Sequence, residues 1–169
     1  MTQPINRVRR RNRAVEDESW IRAFLRESRY GVVATESEGQ PFATPVTFVF
    51  DEATNSLYFH TSPAGRISAN LARNPRCCFN ASRAGSLLGS ETAANFDIEY
   101  ESVTVFGRAQ SLAGEAEKLA ALRLIVARYF PDFPLDGSVP LASAETLART
   151  AVYRIPIESW SGKRNPNPA

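Results

Sequence analysis

The sequence predicts a mainly β protein, an antiparallel barrel of about six strands decorated by helices. Three observations lead there. Runs rich in β-branched and aromatic residues recur between residues 30 and 112 and again near the end, bounded by turn-forming clusters. Helical spacing is confined to a segment before those runs, a short one among them and a long one after them. The first strands follow one another through short turns, which favours antiparallel pairing with helices set outside. A chain of 169 residues fits one domain, 1–169, with a basic arm over residues 1–15 and a frayed tail over 164–169.

The elements follow in chain order. Five arginines fall between Arg7 and Arg13. They read as a solvated arm, or one lying across a partner subunit, in preference to a nucleic-acid contact: acidic residues follow directly and the net charge is only +2. Trp20, Ile21, Phe24 and Leu25 recur at helical spacing behind an acidic first turn. "YGVVAT" is a strand, "ESEGQP" a turn at Gly39, and "FATPVTFVFD" a second strand. Pro45 marks that strand as an edge, or as a bulge where sheet pairing stops. "DEATNS" turns the chain and "LYFHT" returns it, opening a β-meander. Residues 65–73 form a short helix ended by Asn74-Pro75.

"RCCFNAS" is the next strand. It sends Cys77 and Cys78 to opposite faces, so no disulfide joins them. "RAGSLLGSETAANFD" reads as a loop or lid, and residues 100–112 as a long strand with a bulge or bend at Gly107. "GEAEKLAALRLIVARYF" is the clearest helix, with Leu119, Leu122, Ile125, Val126 and Tyr129 on one stripe. "SAETLART" is helix-like and leads into the last strand, "AVYRIPIESWSG".

No apolar run is long enough to span a membrane, and the start of the chain lacks the apolar stretch of a secretory signal; a cytoplasmic location is expected. One histidine and no CxxC leave little support for a metal site, and none is expected. Nucleophile elbow, Walker loop and dinucleotide fingerprint are all missing. Two residues stand out. His60 ends a strand, where a histidine is either a surface residue or a functional one. Arg66 opens a helix, where free N–H groups and a guanidinium together favour an anion; otherwise it is a solvated helix residue.

"GVVATESEGQPFATPVTFVFDEATNSLYFHTSPAGRISANLARNPRCCF" resembles the pyridoxamine 5′-phosphate oxidase-like flavoproteins. "SVTVFGRAQSL", "ALRLIVARYFP" and "VYRIPIESWSGKR" continue the likeness in the same order, roughly from Arg7 to Arg164. The nearest branch is the nitroimidazole-resistance type. The resemblance implies an FMN-binding split barrel of Greek-key-like topology, a homodimer with flavin at the subunit interface. It implies that Thr44, Pro45, Val46 and Thr47 offer main-chain groups to the flavin ring. His60, Thr61 and Arg66 then lie on its phosphate side, and Trp160, with Lys163 as a further candidate, comes from the neighbouring subunit.

Two departures qualify the likeness. Ile67 stands where the family has its phosphate-binding lysine. The tail "KRNPNPA" replaces the arginine-bearing ending of the true oxidase, so pyridoxamine phosphate is not the expected substrate. The implied function is an FMN-dependent oxidoreductase that reduces a small organic substrate such as a nitro compound or quinone, with NAD(P)H as electron donor and His60 as the candidate catalytic residue. The alternative is a flavin- or haem-binding protein without turnover, with His60 as the histidine ligand available to a haem.

Overall fold

A computed structural model describes residues 4–166. Its strands are β1 (Ala14–Val15), β2 (Tyr30–Ser37), β3 (Gln40–Asp51), β4 (Ser56–Thr61), β5 (Arg76–Leu88), β6 (Asp97–Arg108), β7 (Gln110–Ser111) and β8 (Ala151–Asn165). Its helices are α1 (Glu18–Glu27), α2 (Arg66–Arg73), α3 (Glu115–Tyr129) and α4 (Ala144–Ala148). The six long strands run in the order β8-β4-β3-β2-β5-β6, and β6 pairs again with β8, so the strands close into an antiparallel ring. The expected meander is β2-β3-β4; α2 then carries the chain across to β5, which lies on the far side of β2.

Alternation along each strand fills the ring. Val33, Phe48, Phe59, Phe79, Val103, Val105 and Ile155 point inward and are almost completely buried. The Phe48 and Phe79 rings meet with centroids 4.5 Å apart. Helix α1 adds Ile21, Phe24 and Leu25 to this core, and α2 adds Ile67 and Leu71. Helix α3 lies outside the ring, over Val49, Tyr58 and Val152. The α1 start is capped by the Asp17 carboxylate, which accepts from the Ser19 and Trp20 N–H groups. Gly31 is required where it stands, because a Cβ there would sit 2.3 Å from the Phe79 ring.

Several expectations hold. Cys77 is buried and Cys78 half-buried on opposite faces, both as free thiols. The register between β6 and β8 shifts at Gly107. Two readings need correction, the loop and the tail. The segment expected to be a loop continues β5 to Leu88 and returns as β6 from Asp97, a ribbon held by Arg83–Glu101 and by the Ser86 N–H donating to the Glu99 carboxylate. Residues 82–87 are all exposed, Leu87 among them, so no buried face imposes a period-2 signal there. The arginine arm is anchored on its own chain, where β1 pairs with β8 and Asn6 donates to the Trp160 carbonyl, while Arg9, Arg10 and Arg11 stay exposed as a solvated arm expects. Strand β8 runs on through Asn165 into the expected frayed tail, whose last residues, 167–169, lie outside the described residues. No helix among the described residues is long and apolar enough to cross a membrane.

Candidate functional site

Pro45 does not end the pairing of its strand. Strand β3 pairs with β2 along residues 40–47, with Pro45 opposite Val32. On its other side β3 pairs with β4 only from Phe48, opposite Phe59, to Asp51. One further step of that register would set Thr47 against His60, but the two strands part there. The ring is therefore split between β3 and β4.

The direction of the main-chain groups follows from two side-chain contacts. Phe48 N–H donates to the Tyr129 hydroxyl (3.1 Å), which donates to the Phe48 carbonyl (2.7 Å) and also reaches the Arg29 carbonyl. Thr35 Oγ1 on β2 donates to the Phe42 carbonyl (3.4 Å). Even-numbered residues of β3 thus turn their main chain toward β2. Odd-numbered Ala43, Pro45 and Thr47 turn theirs toward the split, where no strand pairs with them. Pro45, which has no N–H to give, sits on that side. The sequence expectation of an edge was right for one side of the strand and wrong for the other.

Side chains alternate the opposite way. Val46 joins the core, while Pro45 and Thr47 are exposed on the outer face. Thr44 points inward, and its Oγ1 is buried without a hydrogen-bond partner. A buried hydroxyl left unpaired costs about 1–3 kcal/mol unless something else meets it. Across the split, His60 is exposed at the end of β4 and Thr61 is half-buried. Partial desolvation lowers the His60 pKa, so its imidazole is neutral at pH 7.

Residues 62–65 then turn the chain into α2. The Ser62 carbonyl accepts from Gly65 N–H (3.2 Å) and from Ser68 Oγ (2.8 Å), which fixes the turn. Gly65 is the N-cap and supplies no side chain to the helix end; no acidic residue stands in the first turn. The first N–H groups of α2 are left for an anion. Arg66 is exposed, forms no ion pair among the described residues, and lies 6.0 Å from the centroid of the half-exposed Phe42 ring. Ile67 is 2% exposed, with its side chain in the core. The position where the family places lysine therefore faces inward in this chain.

Thr44 to Thr47, His60, Thr61 and Arg66 gather around the split. Trp160 and Lys163 do not. They lie on the half of β8 that pairs with β6, reached from Pro45 through Val32, Asn80 and Thr104 to Ser161, and not on the half, residues 151–156, that pairs with β4. Trp160 packs against the core under the Arg22 guanidinium, 4.9 Å from its ring centroid. Lys163 Nζ lies 4.9 Å from the Tyr100 ring. Sequence reasoning missed two residues of the site. Phe42 neighbours Arg66 across the turn, and Tyr129 pins the main chain beside Thr47 from 81 residues away. Tyr129 was visible only as part of a helical stripe; nothing local marks its hydroxyl.

A family model for pyridoxamine 5′-phosphate oxidase matches residues 17–164. No curated protein matches the sequence. Among solved structures, a flavocytochrome from Azotobacter vinelandii is 28% identical with a TM-score of 0.84, covering 96% of this chain and 73% of that one. A protein from Bacteroides thetaiotaomicron named for 5-nitroimidazole antibiotic resistance is 23% identical, with a TM-score of 0.75 and coverages of 89% and 86%. A FAD- and haem-binding protein from Mycobacterium smegmatis is 20% identical, with a TM-score of 0.80 and coverages of 93% and 77%. The last two likenesses concern the fold alone, and they agree with the split ring of strands described above.

Proposed function

We propose, from the premise that this chain belongs to the pyridoxamine 5′-phosphate oxidase family, that it binds FMN at the split between β3 and β4 and acts as an oxidoreductase on a small organic molecule such as a nitro compound or quinone. One observation carries this reading: an unpaired strand edge lies beside a helix start that has no capping side chain and no acid. The residues present fit a flavin nucleotide. The Thr47 main chain and the Ala43 and Pro45 carbonyls offer donors and acceptors along the rim of a planar ring. The buried Thr44 hydroxyl lacks a partner that a ligand would supply. The α2 N–H groups and Arg66 suit a phosphate dianion.

When bound, the flavin supplies the hydride and electron transfer. The chain's own residues position and shield it. Phe48, pinned by Tyr129, holds the edge rigid next to Thr47. His60, neutral at pH 7, can accept or return a proton at the mouth of the split. Trp160 and Lys163 lie on the β6-paired half of β8 and not beside the split in their own chain; in this reading they enter the site as residues of a second copy in a homodimer. NAD(P)H is the electron donor assigned here.

The visible spectrum of the purified protein, with and without added FMN, tests the proposal. Flavin bands that bleach under NAD(P)H are expected; a protein that stays colourless and leaves FMN fluorescence unquenched refutes it. Light scattering at micromolar concentration tests the dimer, which a monomeric mass would exclude. Haem binding without turnover is a second reading, favoured by the exposed neutral imidazole of His60 and by the two haem-associated structural neighbours. A Soret band that is lost in His60→Ala would select it.

A further inference from the structure

Two buried polar side chains tie helix α2 to the strand that borders the split. Asn70 is 2% exposed and Thr35 is 4% exposed. Asn70 Nδ2 donates to Thr35 Oγ1 at 3.0 Å, and Thr35 Oγ1 donates to the Phe42 carbonyl at 3.4 Å. The relay therefore runs from α2 across β2 to β3. It closes on itself, because the Phe42 ring lies 6.0 Å from the Arg66 guanidinium, and Arg66 stands one helical turn before Asn70 on α2.

Local structure alone does not require these residues. Asparagine is a poor helix former, and its neighbours on the buried face, Ile67 and Leu71, join the apolar core. A leucine at position 70 and a valine at position 35 would suit the helix, the strand and the core. What the polar pair adds is direction. Apolar packing through Ile67 and Leu71 tolerates a small slide or roll of the helix, whereas a buried hydrogen-bond chain specifies one placement. At its far end the relay also orients the edge. The peptide between Phe42 and Ala43 is planar and trans, so a bond to the Phe42 carbonyl on the β2 side aims the Ala43 N–H at the split. The distance between the first N–H groups of α2 and the open edge of β3 is thus fixed from inside the fold.

We propose that Asn70 and Thr35 are positioning residues. They hold the start of α2, with Arg66, at the spacing that lets one FMN molecule meet the β3 edge with its ring and the helix start with its phosphate. The proposal rests on the flavin reading above and adds to it the residues that join its two halves. Neither side chain touches the ligand. Their effect falls on the phosphate contact, where a misplacement of about 1 Å is enough to lose most of a directional interaction.

The test titrates FMN and riboflavin by fluorescence quenching against wild type, Thr35→Val, Thr35→Ser and the double variant Thr35→Val/Asn70→Leu. Removing both partners together strands no buried polar group, so the double variant should melt close to wild type. Its FMN affinity should nonetheless fall about ten- to a hundredfold, the loss of one charge-assisted contact, with riboflavin nearly unchanged. Thr35→Val, the smaller change, should lose the same preference for FMN, and Thr35→Ser, which keeps the hydroxyl, should retain it. In an Arg66→Ala background the double substitution should cost FMN less than it does in wild type, because the contact it positions is already gone. Three results overturn this proposal and leave the flavin reading standing: an FMN preference intact in the double variant, equal losses for FMN and riboflavin, or a loss undiminished in the Arg66→Ala background. A wild type that binds neither flavin, or binds riboflavin as tightly as FMN, overturns the assignment of the phosphate to α2 and this proposal with it.

Discussion

Position 67 offers a direct test of how this chain departs from its family. Restoring the family's lysine would be expected to strengthen phosphate binding if the side chain pointed at the phosphate. It does not. Ile67 is 2% exposed and packs in the main core. Ile67→Lys removes a buried isoleucine, which contributes about 1.5–3 kcal/mol, and forces an amine into the same space. If the amine is neutral in the folded state, its folded pKa lies below the unfolded value of about 10.4, and each unit of difference costs about 1.4 kcal/mol.

A total loss of about 3–5 kcal/mol at pH 7 is expected, a large part of the ~5–15 kcal/mol that holds a domain folded. The sign of the pH dependence follows. The unfolded chain binds the proton and the folded chain does not, so the variant's stability rises with pH between the two pKa values, by up to ~1.4 kcal/mol per unit. Urea melts of wild type and variant at pH 7 and pH 9 measure both quantities. A variant as stable as wild type, with no pH-dependent difference and tighter FMN binding, would show that the lysine reaches the helix start and that the buried placement of residue 67 is wrong.

Other perturbations have simpler outcomes. Arg66→Ala should weaken FMN by about ten- to a hundredfold, from the loss of one charge-assisted contact, and leave riboflavin nearly unchanged; fluorescence titration of both flavins reads the difference. Tyr129→Phe strands the Phe48 N–H and carbonyl, and should lower stability by about 1–3 kcal/mol in a urea melt and weaken flavin binding at the edge it pins. Gly31→Ala should cost about 1–3 kcal/mol or more, since its Cβ would overlap the Phe79 ring and come within 2.7 Å of the Asn80 carbonyl; a thermal melt unchanged from wild type would contradict that contact.

What the sequence revealed depended on whether a residue's role was local. The meander was legible because its turns carry their own chemistry: Glu38 and Gly39 take positive φ between β2 and β3, as does Asn55 between β3 and β4. The strand-turn-helix at residues 57–73 was legible for the same reason, and it placed His60, Thr61 and Arg66 together. The ribbon at residues 83–101 was not, because its strands are held by main-chain pairing and cross-strand charge with no buried face to impose alternation.

Pro45 shows the limit most clearly. A proline in an apolar strand says that one side of the chain goes without a ladder hydrogen bond; it cannot say which side, or how far the other side stays paired. Here the β2 side is paired over residues 40–47 while the β4 side of the same stretch is open and pairs only from Phe48 on. The site is that difference. Its rigidity then comes from Tyr129, whose hydroxyl takes up the Phe48 groups at the point where β2 ends. An unpaired edge ordinarily invites association with another strand. Here the missing N–H of Pro45 interrupts the ladder that a full partner strand would need, while the remaining carbonyls and the Thr47 N–H stay open toward the split. The same residue that blunts the edge against a sheet therefore leaves it fit for a small molecule.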